Sequence, residues 1–375
     1  MEPFKNLINA QTVRDCAHHL ARVWPAFGRA RFETLALTGL GELEFKARAE
    51  HLCAALEATL PNDFAKAADI LEASLGPADT GAEPKSQRTS EAGLAGWAVW
   101  PLTVFVARNG LGSPQRALLA LHAMTQRFTA EFAIRPFIAQ HPELSFRLLG
   151  EWSRDPSPHV RRLVSEGSRP RLPWGLQLKS LIADPRPTLP LLATLQDDAS
   201  GYVRRSVANH LNDIAKDHPA LVVDWLKQHL PQAPAQRAAL LKHASRTLIK
   251  QGHAPMLKLW GVAQRFRGDA LLALSKRRVS IGDSLELQLR LVSAAARSQK
   301  LAIDYAVHHV KANGQTTPKV FKGWVIDLAG HETRELRKSH SMRLVTTRRY
   351  HAGRHLIDVR INGVVAASVA FDLRL

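Results

Sequence analysis

The decapeptide DPSPHVRRLV at residues 155–164 recurs as DASGYVRRSV at residues 198–207, with Val160 and Val203 separated by 43 positions. In the first copy Val160, Leu163 and Val164 fall at i, i+3 and i+4, a helical face directed at a core, which leaves Arg161 and Arg162 pointing elsewhere. A companion pattern recurs as well. His141-Pro142-Glu143-Leu144 leads up to Trp152, and His218-Pro219-Ala220-Leu221 leads up to Trp225; a fainter copy runs from His243 to Ile249 and from Pro255 to Trp260. A helix pair carrying D-x-x-x-x-V-R at a period of about 40–47 residues marks HEAT-like repeats. Stacked pairs bury a shared core and leave a long concave face. The Val-Arg-Arg helices would line that face with Arg161, Arg162, Arg204 and Arg205. One arginine of each pair is also a candidate for bonds inside its own repeat.

The first copy lies inside Trp152–Trp174, WSRDPSPHVRRLVSEGSRPRLPW, which holds five arginines, one glutamate and two tryptophans. Asp155-Pro156-Ser157-Pro158 is turn chemistry with a proline suited to a first helical turn. The helix is expected to end at Gly167, as glycine often does just past a C-terminus. Ser168 to Trp174 then reads as a basic, proline-rich loop. Glu166 would sit at the helix end, where the dipole disfavours a negative charge. A carboxylate there has either an arginine partner or a chemical task.

Length and composition set the frame. A chain of 375 residues suggests two domains. Lys+Arg 51 against Asp+Glu 33 gives a net charge of +18, which points to a polyanion, most simply DNA or RNA. No run of about 18 apolar residues occurs, so no membrane span and no membrane partner are expected. Residues 1–15 lack the apolar region of a signal peptide. Cys16 and Cys53 are too few for a disulfide framework, and a cytoplasmic protein with reduced, buried thiols is expected.

Residues 1 to about 75 read as helices, with Asp63 capping one from Phe64 to Leu75. Residues 76–93, GPADTGAEPKSQRTSEAG, contain no large apolar residue and read as a mobile loop. Trp97–Ala107 reads as a buried helix, and Ser113-Pro114 opens another. Arg127, Glu131 and Arg135 then repeat at i, i+4 and i+8, a spacing that suits a surface salt-bridge ladder.

After Gly268 the texture changes to period-two alternation, at Leu285 to Leu291, Ala302 to Val310, Val320 to Ile326, Ser341 to Thr347, His355 to Ile361 and Val365 to Phe371. Asn313-Gly314 and Asn362-Gly363 are hairpin turns. This predicts an all-β, immunoglobulin-like sandwich over residues 275–375, following a helical domain at 1–268. Residues 275–375 hold 18 Lys+Arg against 8 Asp+Glu, so the sandwich reads as a DNA clamp, with Arg348-Arg349-Tyr350-His351 offering cations and an aromatic tip.

The repeats, EFAIRP at 131–136, HVRRLVSEGSRPRLPW at 159–174 and the C-terminal β region together resemble the AlkC family of bacterial alkylpurine DNA glycosylases. The resemblance covers essentially the whole chain, and the 159–174 motif is specific. It implies excision of the cationic bases 3-methyladenine and 3-methylcytosine from double-stranded DNA, without full base flipping, with no cofactor and no metal. It also implies that Glu131 is the catalytic carboxylate, that Glu166 is a second acidic position and that Trp174 closes the site. Arg162, Arg169 and Arg171 would contact DNA around the lesion. The motifs show no departure from the family pattern, and the resemblance favours a catalytic Glu131 over the ladder reading. A monomer is expected.

The residue types suit that chemistry. A base alkylated at N3 already carries a positive charge and leaves without protonation. What needs stabilising is the oxocarbenium-like sugar and an attacking water, which a carboxylate near C1′ can do. A tryptophan face adds a cation–π contact of roughly 0.5–2 kcal/mol. No P-loop, HExxH, GxSxG or CxxC occurs. The competing reading is a HEAT-repeat scaffold that binds nucleic acid or protein without catalysis; two carboxylates within a basic surface argue against it.

Overall fold

The computed structural model describes residues 3–79, 81, 87–262, 265–345 and 348–375. The helices are α1 (Ala10–Val23), α2 (Arg29–Leu37), α3 (Phe45–Glu57), α4 (Phe64–Ala73), α5 (Trp100–Asn109), α6 (Pro114–Thr125), α7 (Arg135–Gln140), α8 (Pro142–Trp152), α9 (Pro158–Gly167), α10 (Lys179–Ala183), α11 (Leu189–Leu195), α12 (Gly201–Asp217), α13 (Pro219–His229), α14 (Ala235–Ala244), α15 (Arg246–Lys250) and α16 (Ala254–Leu259). No helix among the described residues is long and apolar enough to cross a membrane. The chain packs as two compact units, Met1–His218 with Gln232–Ala244, and Pro219–Pro231 with Ser245–Leu375. The contact boundary between these units falls within the helical repeats.

In the first unit, α6 packs on α9, α9 on α12 and α12 on α14, the stacking of a HEAT-like repeat. The repeated aspartate has a structural task. Asp155 and Asp198 each accept from the backbone N–H two residues on, at Ser157 and Ser200, both at 2.8 Å. Each also takes a side chain from the preceding repeat: His122 Nε2 lies 2.8 Å from Asp155, and Arg161 Nε lies 2.6 Å from Asp198. The first arginine of each pair then turns back on its own loop. Arg161 donates to the carbonyls of Asp155 (2.7 Å) and Pro156 (2.9 Å), and Arg204 to those of Asp198 and Ala199. Arg161 and Arg204, expected on a DNA face, are thus bonded within the repeats.

The 76–93 segment is pinned wherever it is described. Gly76 N–H donates to Leu94 O at 2.9 Å, Arg127 Nε to Gly76 O at 2.7 Å, and Gln87 Nε2 to Gln126 O at 2.8 Å. Asp79 meets His159 at 3.3 Å. The expected mobile loop is therefore held at both ends; residues 80 and 82–86 lie outside the described residues.

The second unit carries a two-sheet sandwich. Its strands are β1 (Gly268–Leu274), β2 (Arg278–Ser280), β3 (Ser284–Ser293), β4 (Gln299–Val310), β5 (Thr316–Leu328), β6 (Thr333–Ser341), β7 (Gly353–Ile361) and β8 (Val364–Arg374). One sheet runs β1-β3-β6 and the other β2-β8-β7-β4-β5; all neighbours are antiparallel except β2 and β8. Leu285, Leu287, Leu289 and Leu291 of β3 share the core between the sheets with Ile303, Tyr305, Val307, Ile357 and Val359. The two Asn-Gly turns join β4 to β5 and β7 to β8. Gly363 is needed for more than its φ of +82°: a Cβ there would lie 2.3 Å from the Cα of Gly252, in the turn between α15 and α16.

Two strand expectations need correction. The sandwich begins at β1, before residue 275. The strand expected at Ser341 to Thr347 is instead β6, Thr333–Ser341, which precedes it; residues 346 and 347 lie outside the described residues. β6 reads TRELRKSHS, mostly exposed and charged, as befits an edge strand protected against further pairing. Tyr350, expected as an aromatic tip, is buried in the sandwich core.

Candidate active site

The ladder reading of Arg127, Glu131 and Arg135 fails because no helix connects them. The α6 helix ends at Thr125, and α7 begins only at Arg135, with Pro136 in its first turn. Proline disfavours helix in the residue before it and is at home at a helix start. Glu131 therefore sits in the turn between two helices. Arg127 bonds Ala123 O and Gly76 O and leaves Glu131 alone.

Arg135 is fully buried. Its guanidinium donates to Gly167 O at 2.8 Å, to Pro170 O at 3.4 Å and to Leu176 O. These three carbonyls span the basic loop after α9, so the arginine of EFAIRP shapes the loop that carries Trp174. Burial, then repulsion from Arg169, lowers its pKa to about 10, which leaves it charged at neutral pH. Gly167 serves the same join. It is the last residue of α9 and not a left-handed cap, and a Cβ on it would lie 2.6 Å from Ile134 Cγ2. The two motifs meet through this contact.

Trp174 is 87% exposed and has a φ of +64°. It occupies the third position of a turn closed by Gly175 N–H donating to Leu172 O at 3.1 Å, with Pro173 before it. That position normally selects Gly or Asn. A bulky aromatic held there, with its ring in solvent, carries a conformational cost of roughly 1–3 kcal/mol, a pattern that clusters at functional sites. Gly175 presses against Phe132 and Arg135, where a Cβ would find ring and side-chain atoms at 3.3 and 3.4 Å. The tryptophan thus projects beside the 131–135 turn.

Between these parts lies a buried charge network. Glu131 Oε2 is ion-paired with Arg162 and accepts from Thr129 Oγ1 at 2.7 Å. Arg162 Nη1 also donates to Thr129 Oγ1 at 2.7 Å, and its guanidinium lies over the Tyr202 ring, 5.2 Å from the centroid. Burial opposes the charge on Arg162, yet Glu131, Tyr202 and Glu166 raise its pKa above the ordinary arginine value. Glu166 is engaged at both oxygens: Oε1 accepts from Arg169 at 2.6 Å and Oε2 from Ser206 at 2.6 Å, with Arg162 3.6 Å from Oε1. Burial pushes the Glu166 pKa up, but Arg162, Arg169 and Ser206 outweigh it and hold the carboxyl below the ordinary glutamate range. Arg169 is buried and also donates to Asp213 at 2.8 Å, which in turn takes Lys216 at 2.8 Å.

The two glutamates therefore differ. Glu166 has no lone oxygen. Glu131 has one: Oε1 has no hydrogen-bond partner among the described residues and is not sealed from solvent. Of the expected DNA-binding arginines, Arg162 faces Glu131, Arg169 is enclosed, Arg171 is half-buried and forked onto Asp217 at 2.6 and 2.8 Å, and Arg205 is exposed. Thr129, Tyr202, Ser206 and Asp213 escaped the sequence reading. Ser206 and Asp213 lie on α12 about one and three turns past its Val-Arg-Arg start, positions from which the stacked α9 is within reach. Among the described residues no cluster of three His, Cys, Asp or Glu side chains is placed to hold a metal.

Residues 269–375 match the family described as the C-terminal Ig-like domain of the uncharacterised protein YhaZ. YhaZ of Bacillus subtilis (strain 168) is 37% identical over 378 residues, covering all of both chains. The solved structure of the Pseudomonas fluorescens alkylpurine DNA glycosylase AlkC, bound to DNA containing an abasic site analog, matches with a TM-score of 0.90 and 34% identity over the full length of both chains. With its helical repeats and its β sandwich covered by one full-length match at 34% identity, this chain belongs to the AlkC family.

Proposed function

We propose that this protein is a monofunctional DNA glycosylase of base excision repair that removes cationic N3-alkylated bases, 3-methyladenine and 3-methylcytosine, from double-stranded DNA. The observation that carries the reading is the asymmetry of Glu131. A carboxylate fixed at Oε2 and open at Oε1, beside an exposed tryptophan, is suited to act on a substrate from outside.

In this reading the bond from C1′ to the base nitrogen breaks, and its electron pair leaves with the base, cancelling the lesion's positive charge. Positive charge then builds on the sugar, where the Glu131 carboxylate offsets it. Water adds to C1′ and passes its proton to Glu131 Oε1, leaving a free base and an abasic sugar. Trp174 offers its ring face to the cationic base from outside the stack, so full flipping is unnecessary. A neutral base gains no cation–π contact and leaves poorly, which gives selection for charged lesions. Glu166 acts at one remove, holding Arg162 and Arg169 where Glu131 needs them.

Single-turnover release of bases from methylated duplex DNA tests the proposal. Glu131→Gln keeps the shape of the side chain and should lower the rate by at least about a hundredfold with DNA affinity unchanged. An unchanged rate would end the assignment.

A further inference from the structure

We infer that Thr129 is a positioning residue for the reacting carboxylate: its hydroxyl bridges Arg162 and Glu131 and fixes which glutamate oxygen stays free. This rests on the glycosylase reading above. The hydroxyl sits in a closed triangle. It accepts from Arg162 Nη1 at 2.7 Å and donates to Glu131 Oε2 at 2.7 Å, while the same arginine is ion-paired with that oxygen. It also accepts a long contact from the Glu131 backbone N–H at 3.4 Å.

A hydroxyl has one proton and two acceptor sites. With Arg162 and the backbone N–H on the acceptor side, the proton has one place to go, which is Oε2. The direction of that bond is therefore set by the arginine. The arginine is in turn held by the Tyr202 ring behind it and by Glu166. Thr129 lies two residues before Glu131, in the break between α6 and α7, so no helical bond ladder orients the glutamate. An ion pair alone leaves a carboxylate free to swing about its last torsion, which is broad and two-fold. A second donor on the same oxygen, from a different direction, removes that swing and leaves Oε1 as the oxygen presented outward.

The test compares Thr129→Val and Thr129→Ser in single-turnover excision from methylated duplex, together with DNA affinity and thermal melting. Valine keeps the branched shape and loses the bridge; serine keeps the bridge. The expected result is a loss of about tenfold to a hundredfold in rate for Val, the worth of one hydrogen bond to a charged group. DNA affinity should stay within about twofold, and Ser should restore the rate to within about threefold. A Val variant with the parent rate overturns the inference, as does a Ser variant as slow as Val, since packing would then explain both. Loss of affinity in parallel with rate assigns Thr129 to binding and also overturns it. An inactive parent protein defeats the glycosylase reading itself, and the inference with it; an active parent with an active Val variant defeats the inference alone.

Discussion

Replacing Glu166 with glutamine should cost the helical unit stability more than it costs the chemistry. Glu166 is 6% exposed and balances two buried guanidinium groups, Arg169 at 2.6 Å and Arg162 at 3.6 Å. Removing one partner of a buried ion pair costs about 3–5 kcal/mol, because a charge is left uncompensated. Here Arg169 keeps Asp213, Arg162 keeps Glu131, and the amide still offers an acceptor. The lower end, about 3 kcal/mol, applies. For a unit of this size that is a fall of about 6–12 °C in melting temperature. The pH dependence has a definite sign. The Glu166 pKa is lowered in the folded chain, so its stabilisation is full above the ordinary glutamate value near 4.3 and drains away as the pH falls below it. The gap between parent and Glu166→Gln melting temperatures should therefore be constant from pH 7 to about pH 5 and close in more acidic buffer. Far-ultraviolet circular dichroism of the full chain measures it. A variant that melts within about 2 °C of the parent at pH 7 would show that Glu166 does not hold the network together. A variant that melts normally and excises nothing would return Glu166 to the reacting pair.

Two further outcomes follow from the exposed surfaces. Trp174→Asn places a residue that tolerates positive φ in the turn, so the melting temperature should hold or rise slightly; 3-methyladenine release should slow by about 2- to 30-fold, the worth of one cation–π contact, and equal release by parent and variant would remove the ring from the mechanism. In the sandwich, Lys311, Lys319, Arg348 and Arg349 line a cleft of about 240 Å³ with His309 and His351. Arg348 is already engaged by His309 at 2.6 Å, so alanine at Lys311, Lys319 and Arg349 is the informative change. If the sandwich clamps DNA, the slope of log K against log salt should flatten by about 0.9 for each phosphate that is no longer neutralised; an unchanged slope means this cleft does not meet the backbone. Truncation at residue 275 is a poorer tool, since it leaves β1 without β3, with which it pairs along its whole length.

How much of this was legible in the residues varied with the range of the interaction. The repeat was legible because its signature is local: the aspartate, the turn and the Val-Arg-Arg face lie within ten residues. The β3 alternation and both Asn-Gly turns were legible for the same reason. The β6 strand was not, because an exposed edge strand rich in Arg and Lys has little hydrophobic period to read. The Arg127–Glu131–Arg135 spacing misled because it spans a helix break that Pro136 alone announces. Gly167 read as a cap because a glycine near a helix end usually is one; here the missing side chain makes room for Ile134.

The arginines were the hardest part, and the reason is the repeat itself. Trp152–Trp174 looks like a phosphate-binding stretch when its cations are counted. In the folded chain Arg161 meets Asp198, Arg162 meets Glu131, Arg169 meets Glu166 and Asp213, and Arg171 meets Asp217. Only Arg154 of the five has no ion pair among the described residues. Three of these acids stand 37 to 46 positions downstream of their arginines, about one repeat period, so each is supplied by the following repeat. A stretch neutralised in this way contributes little to the counterion release that dominates DNA affinity. On the proposed reading its arginines instead orient the field around Glu131 Oε1, where preorganisation counts for more than net charge. On the proposed reading, the candidates for long-range attraction include Arg154 and Arg205 on the repeats and the exposed Lys311, Lys319 and Arg349 on the sandwich, none of which has an ion pair among the described residues. Neutralising those should weaken binding to any DNA sequence in a salt-dependent way, whereas breaking the Arg169 or Arg162 pairs should cost stability and rate at every salt concentration.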